Sequence, residues 1–168
     1  MDTGEARELI KDLPLPLGKP LSWADLGCGS GTFTHALYSL LPPQSTIYAF
    51  DKDRQIFHEP GVRFMQLDFE TQALPVSLLS GILMANSLHY IKDPGKLITR
   101  LRQHLEQQGS LVLVEYDTRT ANRWVPFPVP LQKAEQLAIR CGFRNFHLLG
   151  TRPSVYHGGG MYAVAFTL

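Results

Sequence analysis

Residues 23–32, with the sequence Trp-Ala-Asp-Leu-Gly-Cys-Gly-Ser-Gly-Thr, place three alternate glycines directly after a short apolar run. Glycine adopts positive φ freely and has no Cβ, so this segment can bring backbone very close to a ligand. The apolar residues before the glycines predict a buried strand, and those from Phe33 to Leu41 follow helical spacing. A strand, a glycine loop and a helix in this order are typical of the first unit of a nucleotide-binding α/β domain.

The spacing of the glycines distinguishes two kinds of ligand. A dinucleotide fingerprint, G-x-G-x-x-G, that began at Gly27 would need its third glycine at position 32, which is Thr32. The pattern is instead Asp-x-Gly-x-Gly-x-Gly, and it resembles motif I of the class I S-adenosylmethionine-dependent methyltransferases. The resemblance implies that Asp25 approaches the methionine amino group of S-adenosyl-L-methionine and that the loop contacts the cofactor through Gly27, Cys28 and Gly29. A glycine-rich turn without a ligand is the alternative.

A second apolar run, 47–50, ends in Asp51 and predicts a strand beside the first. A carboxylate at the carboxyl end of such a strand can accept hydrogen bonds from both hydroxyls of a ribose. In the family that the chain resembles, this position is the motif II acid, which makes Asp51 the expected ribose ligand, with Lys52 alongside. The alternative is that Asp51 caps a following helix.

Two further strands carry the remaining expected contacts. Residues 62–67 run into Asp68 and Phe69, and the resemblance implies that Asp68 accepts a hydrogen bond from the adenine amine. Phe69 either lies against the adenine ring or belongs to the core. Residues 81–90 change from apolar to polar at the edge where open α/β sheets bind ligands, and there Asn86 is expected to face the cofactor or the transferred methyl group.

Methyl transfer requires a base only when the acceptor must lose a proton. The candidates for orienting or deprotonating an acceptor are His89 first, then Tyr116, then Tyr90, with Ser87 on the same side. A histidine in an apolar turn also serves as a structural residue, so both roles stay open for His89.

Segment 115–130 is the predicted substrate loop, because three prolines alternate with apolar residues near its end and favour an extended, ordered chain. Trp124 and Phe127 are expected to cover an acceptor, with Trp124–Pro130 over its pocket, and polar recognition would come from Tyr116, Asn122 and Arg123. The alternative is that the aromatic side chains pack on the domain's own core.

The other elements complete one domain over residues 1–168. The resemblance implies an α/β fold: a Rossmann-like, seven-stranded, mostly parallel sheet with an antiparallel last strand and helices on both faces. The connection between Asp51 and Asp68 leaves room for little more than one turn of helix. The remaining predictions are helices over 3–13, 94–108 and 131–140, a proline-rich lead to residue 20, strands over 110–114, 143–149 and 162–167, and the Gly158–Gly160 run in the last connection.

Composition limits the function classes. The 168 residues are 44% hydrophobic, which suits one core on each face of a sheet, and the net charge of +1 gives no basic footprint for a nucleic acid. The two cysteines, Cys28 and Cys141, form neither a redox pair nor a metal cluster in the sequence, so no metal is expected. The amino terminus lacks a secretory signal and no apolar run is long enough for a membrane helix, which favours a cytoplasmic protein without membrane contact.

The resemblance, with which the composition agrees, implies a methyltransferase of the type 11 branch that uses S-adenosyl-L-methionine on a small-molecule acceptor. Two alternatives stay open. One is an S-adenosylmethionine-binding biosynthetic enzyme with non-methylating chemistry, and the other is a non-catalytic methyltransferase-like subunit that supports a partner. A homodimer or a partner protein is compatible with the short chain.

Overall fold

The structure is a computed structural model that describes residues 1–153 and 160–168. In chain order the elements are α1 (Thr3–Ile10), β1 (Ser22–Leu26), α2 (Thr32–Tyr38), β2 (Thr46–Asp51), β3 (Val62–Gln66), β4 (Leu79–Ala85), a 3₁₀ turn (Leu88–Tyr90), α3 (Pro94–Arg102), β5 (Leu105–Asp117), α4 (Leu131–Arg140), β6 (Asn145–Pro153) and β7 (Gly160–Thr167).

The strands form one seven-stranded sheet in the order β3-β2-β1-β4-β5-β7-β6. The pairs among β1 to β5 are parallel, and β7 runs antiparallel to both β5 and β6. The predicted fold class is therefore confirmed. The chain order reverses between β1 and β4, and this switch point opens a crevice outside the carboxyl ends of these two strands.

Helices cover both faces of the sheet, as predicted. α1 and α2 pack on one face, where Ile10 and Leu37 share a core with Trp23 and Val112. α3 and α4 pack on the other face, where the core is built from their apolar stripes and from the opposite side chains of the strands. Since β1 is buried from both sides, its last residues are held rigidly at the crevice.

The first helix is shorter than predicted. α1 begins with a reciprocal cap, in which the Asp2 carboxylate accepts from Glu5 N and the Glu5 carboxylate accepts from Asp2 N. It ends at Ile10, whereas the apolar spacing predicted helix to Leu13. Pro14 explains the difference, because a proline disfavours helical backbone for the residue before it.

The boundary between α3 and β5 corrects a second prediction. The sequence predicted helix to residue 108 and a strand over 110–114, but α3 ends at Arg102 and β5 already begins at Leu105. Leu105 pairs with Leu79, and a register shift follows in the ladder between β4 and β5. β5 continues to Asp117, so the predicted substrate loop begins at residue 118 rather than at Glu115.

The short link over residues 52–61 contains no helical turn, in agreement with the limited room expected for helix there, and its Phe57 lies against Gly31 at the end of the glycine loop. β6 begins at Asn145 and continues to Pro153, beyond the predicted 143–149. Gly160 starts β7, whereas Gly158 and Gly159 lie outside the described residues. Within the described parts of the chain, no helix has the length and apolar character needed to cross a membrane.

Candidate functional site

Asp25, at the carboxyl end of β1, is a buried carboxylate with one oxygen available. Its side chain is 1% exposed, and its Oδ2 accepts a hydrogen bond from Thr34 Oγ1 at 2.6 Å. Its Oδ1 is buried and has no partner among residues 1–153 and 160–168. Burial is the main cause that raises the pKa of Asp25 to about 7; the charge of Asp51 adds to the rise and the Thr34 hydrogen bond opposes it.

The glycine loop is tied to β2 and is closely approached by other segments. Gly27 N and Cys28 N both donate to the Phe50 carbonyl, at 2.8 and 3.1 Å. Gly27 has a φ of 79°, and a Cβ there would lie 2.6 Å from the Cβ of Ser87. A side chain at position 27 would therefore be strained and would clash, so the loop needs glycine.

Cys28 is a predicted contact residue whose thiol stays protonated. The residue is 8% exposed, and burial, followed by the nearby carboxylates, raises the pKa of its thiol above the ordinary range. A protonated thiol is a weak nucleophile, so Cys28 contributes backbone and bulk to the loop. In the described part of the chain, no group of three or more His, Cys, Asp or Glu side chains is arranged to hold a metal ion.

Asp51 closes the glycine loop from β2. Its Oδ2 accepts from Gly29 N and its Oδ1 accepts from Asp53 N, each at 2.9 Å. No helix follows in residues 52–61, so the alternative of a helix cap is wrong. A carboxylate has about four lone-pair sites, so each oxygen can still accept one more hydrogen bond. Lys52 follows directly and lines the same cavity.

The turn after β3 presents Asp68 and Phe69. Asp68 Oδ1 accepts from Glu70 N, and Asp68 N donates to Gln72 Oε1, each at 3.0 Å. These bonds hold a compact turn with the Asp68 carboxylate at the surface. Phe69 is half-buried, and its ring lies 3.8 Å from the position that a Cβ on Gly27 would occupy. Phe69 also packs against the core, so both expected roles are compatible with its position.

Asn86 follows β4 in a left-handed conformation, with a φ of 52°. Its backbone N–H donates to the Val114 carbonyl at 2.8 Å, which fixes the residue to the end of β5. Its side-chain Oδ1 is buried and has no partner within the described residues. Asparagine tolerates this backbone region better than most residues. The conformational strain of a positive φ is found where the surrounding structure fixes the direction of a functional side chain.

Two cavities meet at this edge of the sheet and share Gly27 and Asn86. The smaller has a volume of about 220 Å³ and is lined by Asp25, the glycine loop and Ala85. The larger has a volume of about 460 Å³ and brings together the other predicted cofactor residues, namely Asp51, Lys52, Asp68 and Phe69, with Ser87 and Tyr90. All nine predicted cofactor residues therefore lie around one bipartite cleft.

His89 forms a buried pair with Glu115. The two side chains are 2% and 1% exposed, and His89 Nδ1 lies 2.5 Å from Glu115 Oε2. Glu115 Oε1 also accepts from the backbone N–H groups of Leu88 and His89, at 2.9 and 3.2 Å. The ring of Tyr90 packs at 4.4 Å from that of His89, and the ring of Tyr116 lies at 6.0 Å. Tyr90 lines the larger cavity, whereas His89 is not among the described residues that line either cavity.

The loop after β5 packs partly on the domain itself. Val125 and Val129 are each 1% exposed, and Val129 O accepts from the Tyr162 hydroxyl at 2.6 Å. Phe127 N donates to the His89 carbonyl at 2.9 Å, which places the loop at the carboxyl edge, as expected. Trp124 is 64% exposed beside the Arg123 guanidinium and lines neither cavity, so its expected cover over the acceptor stays a prediction.

Sequence reasoning missed two residues of the site. Thr34 binds Asp25 from the first turn of α2, and Glu115 binds His89 from β5. Thr34 could have been predicted from its position alone. The first turn of the helix after a glycine loop faces the end of the preceding strand, so a hydroxyl there can reach Asp25. Nothing in the sequence near Glu115 indicates its role, because its partner His89 lies 26 residues earlier, in the turn after β4.

Comparisons with known proteins agree with this geometry. A family model described as a methyltransferase domain matches residues 2–149. No curated protein matches the chain in sequence. An arsenic(III) S-adenosylmethionine methyltransferase from Chlamydomonas reinhardtii superposes with a TM-score of 0.67 at 16% identity, over 97% of this chain and 72% of that one.

Two further solved structures show the same fold. The Burkholderia thailandensis 1,6-didemethyltoxoflavin-N1-methyltransferase, with 1,6-didemethyltoxoflavin and S-adenosylhomocysteine bound, has a TM-score of 0.70 at 15% identity, over 98% of this chain and 77% of that one. Human N-acetylserotonin methyltransferase in complex with SAM has a TM-score of 0.71 at 20% identity, over 97% of this chain and 51% of that one. At these identities the likeness establishes the fold.

Proposed function

The chain belongs to the methyltransferase domain family, and from this membership we propose that it transfers a methyl group from S-adenosyl-L-methionine to a small molecule. The observation that carries the proposal is the convergence of Asp25, Asp51 and Asp68, from the ends of three strands, on a cleft that passes over Gly27. The acceptors named for the three solved relatives are small molecules or ions, which supports the substrate class.

The chemistry of the cleft fits the cofactor part by part. The unpartnered Asp25 Oδ1 lines the smaller cavity and suits the ammonium group of the methionine end. Asp51 retains lone pairs for the two ribose hydroxyls. Asp68 offers a carboxylate to the adenine amine and Phe69 an apolar face to the ring. The backbone at Gly27, where a Cβ would clash, lets the ligand cross from one cavity to the other.

The bound cofactor supplies a methyl group already activated on a sulfonium. The main task of the protein is to orient the acceptor in line with this group, and holding two reactants in the right geometry supplies about 7 to 11 kcal/mol of the barrier. Asn86 is suited to this task because it lies where the two cavities meet and its buried Oδ1 is free to accept a hydrogen bond.

His89 is our candidate for the base when an acceptor must lose a proton. The Glu115 carboxylate next to Nδ1 favours the tautomer with the proton on Nδ1, which leaves a lone pair on Nε2. Glu115 itself is held by two backbone N–H groups, so the ring has a fixed orientation. Tyr90 and Tyr116 flank the ring and are the candidates for orienting the acceptor.

A cytoplasmic location, membership of the type 11 branch, and a homodimer or a partner protein stay predictions.

A ligand-stabilisation experiment tests the proposal. S-adenosylhomocysteine at a hundred times its dissociation constant should raise the free energy of unfolding by about 2.7 kcal/mol, whereas NAD and NADP should leave the melting temperature unchanged. Stabilisation by a nicotinamide cofactor alone would contradict the assignment. Incubation of a metabolite mixture with cofactor labelled on the methyl group should then give a labelled small molecule, and binding without any transfer would favour non-methylating chemistry or a non-catalytic subunit.

A further inference from the structure

Arg100, in the last turn of α3, holds the turn that carries Asp68 and Phe69. Its Nη2 donates to the backbone carbonyl of Phe69 and, at 2.9 Å, to that of Glu70. The residue is half-buried, and α3 is anchored in the core of its face of the sheet through Ile98 and Leu101. The guanidinium therefore connects a rigid helix to the far wall of the larger cavity.

The turn itself is held mainly by short-range bonds. Asp68 bonds with Glu70 and Gln72, and all of these contacts lie within five residues of the chain. The start of the turn is held from outside by Leu67 N, which donates to the Asp51 carbonyl at 2.9 Å, and by Phe69, which packs on the core. Arg100 adds a constraint on the backbone of the turn itself, because a planar guanidinium fixes the Phe69 and Glu70 carbonyls in a defined geometry. Further along the same connection, His104 Nδ1 lies 2.7 Å from the Val76 carbonyl, so α3 and the short segment after it hold the connection at two points.

We propose that Arg100 is a positioning residue for base recognition. By holding the Phe69 and Glu70 carbonyls toward α3, it directs the Asp68 carboxylate at the exocyclic group of the base. This inference rests on the proposed function and adds a source of selectivity to it. A carboxylate accepts hydrogen bonds and donates none, so it favours the amine of adenine over the carbonyl that hypoxanthine carries at the same position.

The test compares S-adenosylhomocysteine with S-inosylhomocysteine, in which a carbonyl replaces the exocyclic amine and the neighbouring N1 carries a proton. Arg100→Met keeps the aliphatic stem and removes the donors. It should weaken S-adenosylhomocysteine binding about tenfold, the worth of one hydrogen bond to a charged group, and should change S-inosylhomocysteine binding much less. Arg100→Lys should restore part of the preference. Arg102→Met, an exposed arginine of the same helix, is the matched control and should leave both affinities unchanged.

A double-substitution cycle separates positioning from general weakening of the fold. In an Asp68→Ala background, Arg100→Met should produce no further change in the ratio of the two affinities, because the group through which it acts is gone. Circular dichroism identifies a temperature at which every variant is folded. The affinities for both ligands are then measured by calorimetric titration at that temperature. An equal loss for both ligands, or an undiminished preference in Arg100→Met, would overturn the inference alone. A wild-type protein that binds neither ligand would overturn the proposed function as well.

Discussion

The Asp51 carboxylate accepts a hydrogen bond from the backbone N–H of Gly29 at 2.9 Å. The end of β2 thus holds the loop that follows β1, and the expected ribose ligand also shapes the backbone around the methionine end. The other oxygen of Asp51 accepts from Asp53 N. A substitution at position 51 therefore acts on two parts of the cleft at once.

Removing this carboxylate should weaken cofactor binding strongly. We expect Asp51→Ala to cost about 1.5 to 3 kcal/mol in the affinity for S-adenosylhomocysteine, the usual worth of hydrogen bonds to a charged group. Calorimetric titration measures the loss. Asp12→Ala removes an exposed carboxylate that lines neither cavity and serves as the control for the lost charge. If Asp51→Ala is folded and binds as well as the wild type, Asp51 is not a ligand of the cofactor.

The pKa of Asp25 predicts a pH-dependent stability. Burial, the largest cause, raises this pKa from its ordinary value of 3.8 to about 7. Between these values the native state holds a proton that the unfolded chain has lost, so the free energy of unfolding falls as the pH rises through this window. Asp25→Asn stays neutral and should show a smaller fall. Urea unfolding at pH 5 and at pH 7.5 measures this fall in the free energy of unfolding for both proteins. The same fall in the wild type and in Asp25→Asn would exclude Asp25 as its cause.

The same carboxyl should couple cofactor binding to protons. The ammonium group of the cofactor favours the ionised form of Asp25, so binding below pH 7 requires the release of a proton. The affinity for S-adenosylhomocysteine should therefore rise between pH 5.5 and about 7 in the wild type and stay nearly flat in Asp25→Asn. Titrations in buffers of different ionisation enthalpy measure the protons released. A wild type that releases none would place the ammonium group elsewhere.

The buried pair of His89 and Glu115 gives separate predictions for stability and catalysis. Glu115→Gln turns an amide toward three N–H donors, and losing hydrogen bonds to a charged group costs about 1.5 to 3 kcal/mol of unfolding free energy. If His89 is the base, the folded variant should also lose about 10²- to 10⁴-fold in kcat, with an altered pH profile and unchanged cofactor affinity.

Glu106→Gln, near the amino end of β5, is the control for a glutamate on the same strand. It should change neither stability nor the pH profile. A Glu115→Gln enzyme with full kcat at a temperature where it is folded would assign the pair to structure alone.

Trp124 should matter for the acceptor and not for the fold. Because its side chain is 64% exposed, Trp124→Ala should leave the melting temperature and the affinity for S-adenosylhomocysteine unchanged while turnover of the acceptor falls. Val125→Ala provides the contrast, because this neighbour is 1% exposed and its truncation should cost about 1 to 3 kcal/mol of stability. Unchanged kinetic constants in Trp124→Ala would remove the residue from the acceptor site.

Local sequence signals predicted most of the fold and of the cofactor cleft. The glycines of the first loop and the acids at the ends of successive strands each lie within a few residues of the apolar run that identifies them. Parallel strands then bring Asp25, Asp51 and Asp68 to one edge without any further information. The antiparallel β7 followed from the resemblance to a family rather than from periodicity.

Errors arose where a distant partner determined the outcome. Leu105 continues the apolar spacing of a helix, but its pairing with Leu79 makes it the first residue of a strand. The hydrogen bond between Glu115 and His89 joins β5 to the turn that follows β4, and the sequence around either residue does not predict the other. Arg100 occupies an ordinary polar position on an amphipathic helix, and only the structure reveals that it binds the turn after β3.

The position of β7 between β5 and β6 sets an order for the folding reaction. β6 reaches the sheet only through β7, although it comes earlier in the chain. The hairpin of these two strands is a local unit that can form within microseconds, whereas its docking on β5 must first close the long loop that contains α4. The docking step also brings the Tyr162 hydroxyl to the Val129 carbonyl. A substitution that weakens the pairing of Glu115 with Tyr162 should consequently slow the late step and release both strands together.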